Sequence, residues 1–284
     1  MKRKHATILV LLIVLAAAST VGYLMYRRTQ GEYLRGRAQL AMRANKMGEA
    51  LALIDQFIRK YPDRWRGYFT KGAIHAHFGE YDKARADYDN ALARPECDRR
   101  EVLLAKARTW SMLAVKQLNS MRHKIRMDML DSGVKQLQTS NKILLTLLPA
   151  AGEDTPGDAE LIRRLARNYE RLGLYYAMRT VRYQLNLGIS ETADAIERSE
   201  VNRRAFKENE IAAQKTNSTA LTYFLRLLKV KPDSENEAVA AMELAMSQRD
   251  EAQLAAVAEV IESIPELASA KSLLWMHQFY RASP

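Results

Sequence analysis

A single cysteine, Cys97, occurs in 284 residues, so the chain has no internal disulfide framework and no cysteine-based metal site. Prolines number seven and glycines twelve, too few for a fold built on turns. No stretch alternates apolar and polar residues over the length of a strand, which excludes a half-exposed sheet. Gly-rich phosphate loop, nucleophile elbow and dinucleotide fingerprint are all missing. Five histidines are present, but His75 and His77 are two apart and so point to different helix faces, whereas metal-binding helices use four-residue spacing. His5, His123 and His277 have no ligand-like neighbours. Acidic pairs such as Asp82 with Asp87, or Glu153 with Asp154, are commonplace on charged helices and in loops. The sequence offers no catalytic residues, no metal and no cofactor, and reads as a chain that is not an enzyme.

What it does have is helical periodicity. In residues 65–98, Gly72 falls where one helix must let another pack close, Gly79 ends that helix and Tyr81 opens the next. Ala84, Tyr88, Ala91 and Leu92 then recur at three- and four-residue spacing, the apolar stripe of a second helix. Pro95 stops it. Tyr68, Gly72, His75, Ala84, Tyr88 and Pro95 resemble one tetratricopeptide repeat, with His75 in a slot that is usually Tyr and Pro95 one residue early. One helical hairpin cannot bury its apolar face alone, so neighbours are required.

A shift of 34 residues takes Gly72 to Ala38, Ala84 to Ala50 and Ala91 to Phe57, which makes 31–64 a weaker first repeat. Ala166, Tyr169, Leu172, Gly173 and Tyr175 repeat the spacing of Gly72 through Tyr81, so 159–192 reads as a third hairpin. Ala220, Phe224, Leu227, Leu228 and Pro232 fit the second helix of a unit at 201–234. Ala241, Ala255, Val257, Ile261 and Pro265 mark a last unit at 235–267. The tyrosines Tyr169, Tyr175, Tyr176 and Tyr183 read as packing between these units. Between Arg99 and Pro149 the phase is lost but helical character is kept, giving an irregular long hairpin. The expected fold class is all-α: a helical-hairpin solenoid with two repeats at 31–98, the long hairpin at 99–149, a loop at 150–158 and degenerate repeats at 159–267. A capping helix closes the chain at 268–284, where Leu273, Leu274, Trp275, Phe279 and Tyr280 either seal the last hairpin or leave an apolar face for a partner. The segment Pro149–Asp158 reads as a loop inside the solenoid, with a domain linker as the alternative.

The N-terminus adds an anchor. A basic tail at 1–5 (Lys2, Arg3, Lys4) precedes an uncharged run of twenty-one residues, Ala6 to Tyr26, closed by Arg27 and Arg28. At about 1.5 Å per residue that run spans roughly the 30 Å bilayer core, and Tyr23 and Tyr26 sit where interfacial aromatics belong. The alternative is a signal peptide cleaved after Ala16-Ala17-Ala18. Both readings carry the rest of the chain across a membrane, in the first case as a single-pass protein of bacterial inner-membrane style with its repeats extracytoplasmic, in the second as a soluble periplasmic or secreted protein. Ser218 or Thr219, in the sequon-like Asn217-Ser218-Thr219, is expected to cap a helix start.

Charge is uneven along the chain. Residues 27–127 hold 22 Lys and Arg against 11 Asp and Glu, while 231–284 hold 4 against 9. The basic half fits docking on lipid or capture of an acidic partner, and equally a solvated surface. Nucleic acid is not expected, because no basic–aromatic strand motif is present. The repeat resemblance implies that the first helix of each repeat lines a groove for a partner protein or peptide. It places there Arg35, Gln39, Met42 and Arg43; then Arg66, Phe69, Ala73 and His77; then Arg163, Arg167, Glu170 and Arg171. Guanidinium groups suit carboxylate ligands, although the lysine-plus-asparagine clamp of the family's chaperone-tail binders is not reproduced. Oligomeric state leaves no trace in the sequence.

Overall fold

The computed structural model describes residues 19–20, 29–121, 125–149, 153–186, 193–248, 251–265, 267, 270–271 and 274. Ala6 to Tyr26 lies outside them apart from Ser19 and Thr20. Among the described residues no helix is long and apolar enough to cross a membrane, and there is no strand. The chain divides into two compact units, 1–105 and 106–284.

The first unit is made of helical hairpins. Residues 29–43 are helical (α1), followed by α2 (Met47–Lys60), α3 (Trp65–His77) and α4 (Tyr81–Leu92). Leu34, Ala38 and Ala41 of α1, Ala50, Ile54 and Phe57 of α2, and Ile74 of α3 form one buried cluster; Trp65, Ala84, Tyr88, Ala91 and Val102 form another. None of α2, α3 and α4 has a side-chain N-cap, so packing and not capping holds them. Gly79 turns the chain at φ 77°, a region open to glycine without penalty. Gly72 serves the contact itself. A Cβ there would stand 2.7 Å from Tyr88 Cε1 and 3.1 Å from the Ala84 carbonyl. The hairpin α3–α4 expected from the sequence is thus present, with its turn at Gly79 and its close contact at Gly72.

His75, in the slot normally filled by an aromatic ring, is buried with its Nδ1 3.0 Å from Asp87 Oδ2 across the hairpin. Glu80 stands 3.9 Å from its other nitrogen, and Lys71, paired to Asp55 at 2.9 Å, lies nearby on α3. Burial pushes the Asp87 carboxyl up, against the attraction of His75 and Lys71 and with repulsion from Asp55. An acid whose pKa is raised by folding adds stability at pH below its unfolded value, and that stability is lost as pH rises through the folded value. Asp87→Asn removes the titration and keeps a polar partner for His75. The variant is expected to melt above the parent chain at neutral pH, with the gap closing on acidification, as read by circular dichroism melts across pH.

The second unit takes in α5 (Arg99–Ser120) from residue 106, α6 (Met127–Leu147), α7 (Ala159–Asn186), α8 (Ala193–Val230), α9 (Glu235–Gln248) and α10 (Glu251–Ser263). Two expectations are corrected here. The segment 159–192, read as a hairpin, is instead one continuous helix over 159–186, and 201–234 lies largely within a single 38-residue helix, α8. The physical reason is visible at Gly173. It does not turn the chain as Gly79 does but lies against α8, where a Cβ would be 1.8 Å from Asn217 Oδ1. Its likeness in spacing to Gly79 conceals a different use of glycine, close approach. Ser218 and Thr219, expected as a cap, are interior to α8: Ser218 Oγ donates to Gln248 Oε1 (3.2 Å) and Thr219 Oγ1 donates to the Lys215 carbonyl (2.8 Å). Back-bonding of this kind lets hydroxyl residues sit inside a helix.

Three helices meet around Tyr175. Its hydroxyl donates to the Ala114 carbonyl at 2.6 Å, its ring lies over Gly133, and burial pushes its pKa up to about 12. Next to it a buried polar net ties α5, α6 and α7 together. Asn168 Nδ2 donates to Ser140 Oγ (3.0 Å) and Asn141 Oδ1 (2.8 Å), and Ser140 Oγ bonds Ser111 Oγ and the Ala107 carbonyl, both at 2.9 Å. Nothing in the helical periodicity announces this net. Past Tyr175 the α7–α8 pair changes character: no side chain described over 176–183 or 200–219 is buried, and Val181, Val201 and Ile211 stand exposed.

In the segment Pro149–Asp158, read as a loop with a domain linker as the alternative, Pro149 and Asp154 are bonded to α8. Arg226 of α8 grips both carboxylate oxygens of Asp154 and donates to the Pro149 carbonyl at 3.3 Å. Asp158 Oδ2 accepts from the Thr155 backbone N–H (3.1 Å) and hydroxyl (2.7 Å), in the capping-box pair that starts the short turn leading into α7. At the far end Leu267, Ala270 and Leu274 are buried with α8, α9 and α10; Trp275, Phe279 and Tyr280 lie outside the described residues.

Candidate partner-binding surface

The residues expected in a groove separate into two groups, one in each unit. In the first unit, Glu32 of α1 holds Arg35 (Nε to Oε2, 3.1 Å) and faces Arg66 of α3 at 3.8 Å. Gln39, Arg43, Arg66 and His77 are exposed. His77 Nε2 lies 3.2 Å from Asn45 Oδ1, and Arg66 covers the Trp65 ring at 5.6 Å. Phe69 contributes less to a surface than to the core, with its ring 5.7 Å from both Trp65 and Tyr88. The first group is therefore a polar strip on α1 and α3, with one carboxylate already placed between two of its arginines.

The second group is on α7. Arg163 bonds Glu237 of α9 (2.9 Å) and Glu160 (3.0 Å). Burial opposes its charge, the two carboxylates outweigh that, and its pKa stays raised. It serves as a strut between α7 and α9. Arg167 pairs with Glu170 at 3.2 Å and lies over the Phe224 ring at 5.2 Å. Arg171 is half-buried, its pKa lowered first by burial and then by Arg167 and Arg164, with Glu170 opposing. Arg164, which the repeat phase passed over, belongs with it. Seven residues are two helical turns, so Arg164 stacks directly below Arg171. Its pKa is also lowered, by burial and by Arg108 of α5, despite a 2.6 Å pair with Glu160.

Arg164, Arg167 and Arg171 thus share one side of α7 with Arg108 near Arg164, while Arg163 is turned to Glu237. Guanidinium groups stay charged under any physiological condition. Crowding them while removing water leaves a site where an added carboxylate or phosphate is worth more than it would be on an open surface. Exposed Leu174 follows the arginines along α7. Among the described residues no three His, Cys, Asp or Glu side chains converge to hold a metal ion.

No protein-family model matches the chain, and no curated protein sequence matches it. Solved structures of low identity are similar to it. The MamA RS-1 ArsTM double mutant has a TM-score of 0.47 and 15% identity, over 85% of this chain and 96% of that one. Nro1, a hypoxic regulator of sterol synthesis and nuclear import adaptor, has a TM-score of 0.37 and 12% identity over 88% and 93%. The C-terminal part of a TPR repeat-containing protein from Cytophaga hutchinsonii has 0.26 and 12% over 84% and 99%. With TM-scores below 0.5, these likenesses say nothing of what the chain binds.

Proposed function

We propose that the chain is a protein-interaction scaffold, tethered through Ala6 to Tyr26 and presenting its helical hairpins at the extracytoplasmic face of a membrane, with an acidic peptide segment of a partner as ligand. The observation that carries the binding half is the arginine cluster on α7: Arg164, Arg167 and Arg171 lie half-buried along one side of the helix, with Glu160 at 2.6 Å from Arg164 and Glu170 at 3.2 Å from Arg167 offsetting part of their charge. The uncharged run bounded by Lys2–Lys4 and by Arg27 and Arg28 supports the tether. A poly-glutamate peptide is the direct probe. Replacing Arg164, Arg167 and Arg171 together with Ala is expected to keep the helical signal and weaken that peptide by about tenfold or more, at roughly 0.5–1 kcal/mol for each part-exposed charge. The salt dependence of binding should flatten as well. Unchanged affinity and salt slope would make the cluster a solvated surface and end this assignment. The tether is read separately, by whether alkaline carbonate leaves the full chain in the membrane pellet.

A further inference from the structure

Helix α1 has two apolar stripes, and only one of them is used. Leu34, Ala38 and Ala41 are buried against α2. Tyr33 and Leu40, on another face, are 63% and 65% exposed. With Arg37 and Ala44 they recur at three- and four-residue spacing, so they form a continuous strip along the helix. The Arg37 guanidinium covers the Tyr33 ring at 6.0 Å and also reaches Glu49 of α2 at 3.6 Å in an exposed pair that water or a headgroup can replace. A Cβ built on Gly36, within the same strip, would meet nothing within 4 Å. Tyr33 and Leu40 lie two turns apart, about 10 Å along the axis, and so can rest together on a flat surface.

Two features outside the strip say what kind of surface it is. The first is charge. Residues 27–66 hold ten Lys and Arg against four Asp and Glu, whereas 67–105 hold six against seven. The positive excess of this half of the sequence thus falls in the stretch that holds α1, α2 and the start of α3. The second is reach. The uncharged run ends at Tyr26, three residues before the helix at 29–43 begins, so a chain held there keeps this face within a turn or two of the headgroups. Tyrosine, leucine and arginine on one helix face are the side chains of an interfacial helix, rings and aliphatic tips at the headgroup–acyl boundary and cations over the phosphates.

We infer that the outward face of α1 docks on an anionic lipid surface, with Tyr33 and Leu40 inserted and Arg37 among the headgroups. The inference takes its proximity from the tether proposed above but is measured apart from it. Leu40→Cys and, as a control on α4, Ala86→Cys are each made in full-length Cys97→Ser chain and labelled with an environment-sensitive fluorophore. The labelled chains are placed in vesicles of brominated phosphatidylcholine with and without phosphatidylglycerol. The label at 40 should be quenched several-fold more than the label at 86, more strongly with phosphatidylglycerol present, and Arg37→Glu should remove much of the difference. Equal quenching at the two positions overturns the inference. So does a label at 40 that is shielded but unquenched, since a protein surface, a second copy or the chain's own N-terminal segment would then be the cover. If carbonate strips the chain from membranes, the tether is lost, and quenching of the released chain by added anionic vesicles still decides the docking.

Discussion

Gly133→Val is expected to cost about 3 kcal/mol of folding stability, at the upper end of what overpacking a core costs. A Cβ on Gly133 would lie 2.2 Å from Tyr175 Cζ and 2.4 Å from its hydroxyl oxygen. The ring cannot retreat, because its hydroxyl is fixed on the Ala114 carbonyl and no part of the side chain reaches solvent. Either α6 moves away from α7 or the tyrosine leaves the core with its hydrogen bond broken. Alanine at 133 gains about 1 kcal/mol of helix propensity and should still be destabilising. The check is urea unfolding of the single variants and of Gly133→Ala combined with Tyr175→Leu. The double variant should lose less than the sum of the two singles, because a smaller side chain makes room for the methyl. Simple additivity would mean that helix α6 had relaxed on its own and that the contact is not tight.

The second large effect is expected at Arg226. Arg226→Met should cost about 3–5 kcal/mol, the usual result of leaving one half of a buried ion pair without its partner. Asp154 is only 9% exposed and Arg226 17%, so water cannot readily replace the guanidinium. The Arg226 pKa is raised chiefly by its hydrogen bonding to Asp154, in keeping with a partner that holds the charge. Combining Arg226→Met with Asp154→Leu should restore most of the loss, since the penalty belongs to the orphaned carboxylate and not to missing attraction. Limited proteolysis reads the same event locally: the single variant should be cut near 150–155 before the rest of the second unit opens. A small stability change with no new cleavage would mean that this loop is held by its Thr155–Asp158 capping box alone.

How far the sequence disclosed this structure depends on what each residue does. Gly72, Gly79, Ala84, Tyr88 and Pro95 disclosed α3 and α4, because each has one strong local reading and all agree on phase. Gly173 carried the same spacing and misled. A glycine that turns the chain and a glycine that admits a neighbouring helix look alike until the neighbour is in place, here Asn217 of α8. Phase borrowed from a hairpin selected Arg163, whereas an unbroken α7 sends Arg163 to Glu237 and stacks Arg164 with Arg171. The net of Ser111, Ser140, Asn141 and Asn168 was beyond reading, since small polar residues within helices are equally at home on a wet face. The Asp154–Arg226 pair joins residues 72 apart in sequence, and no local pattern encodes such a meeting.

The exposed end of the α7–α8 pair has a consequence for how this chain can vary. Core contacts decide where the two helices begin to run together, around Tyr175 and Ala220, but no buried residue described beyond them decides where they must stop. Whole turns added to or removed from both helices in register would leave every described core contact in place. Each added turn would lengthen the projection by about 5.4 Å. Over the described residues 176–183 and 200–219, then, helix length and not a core contact sets how far the pair reaches.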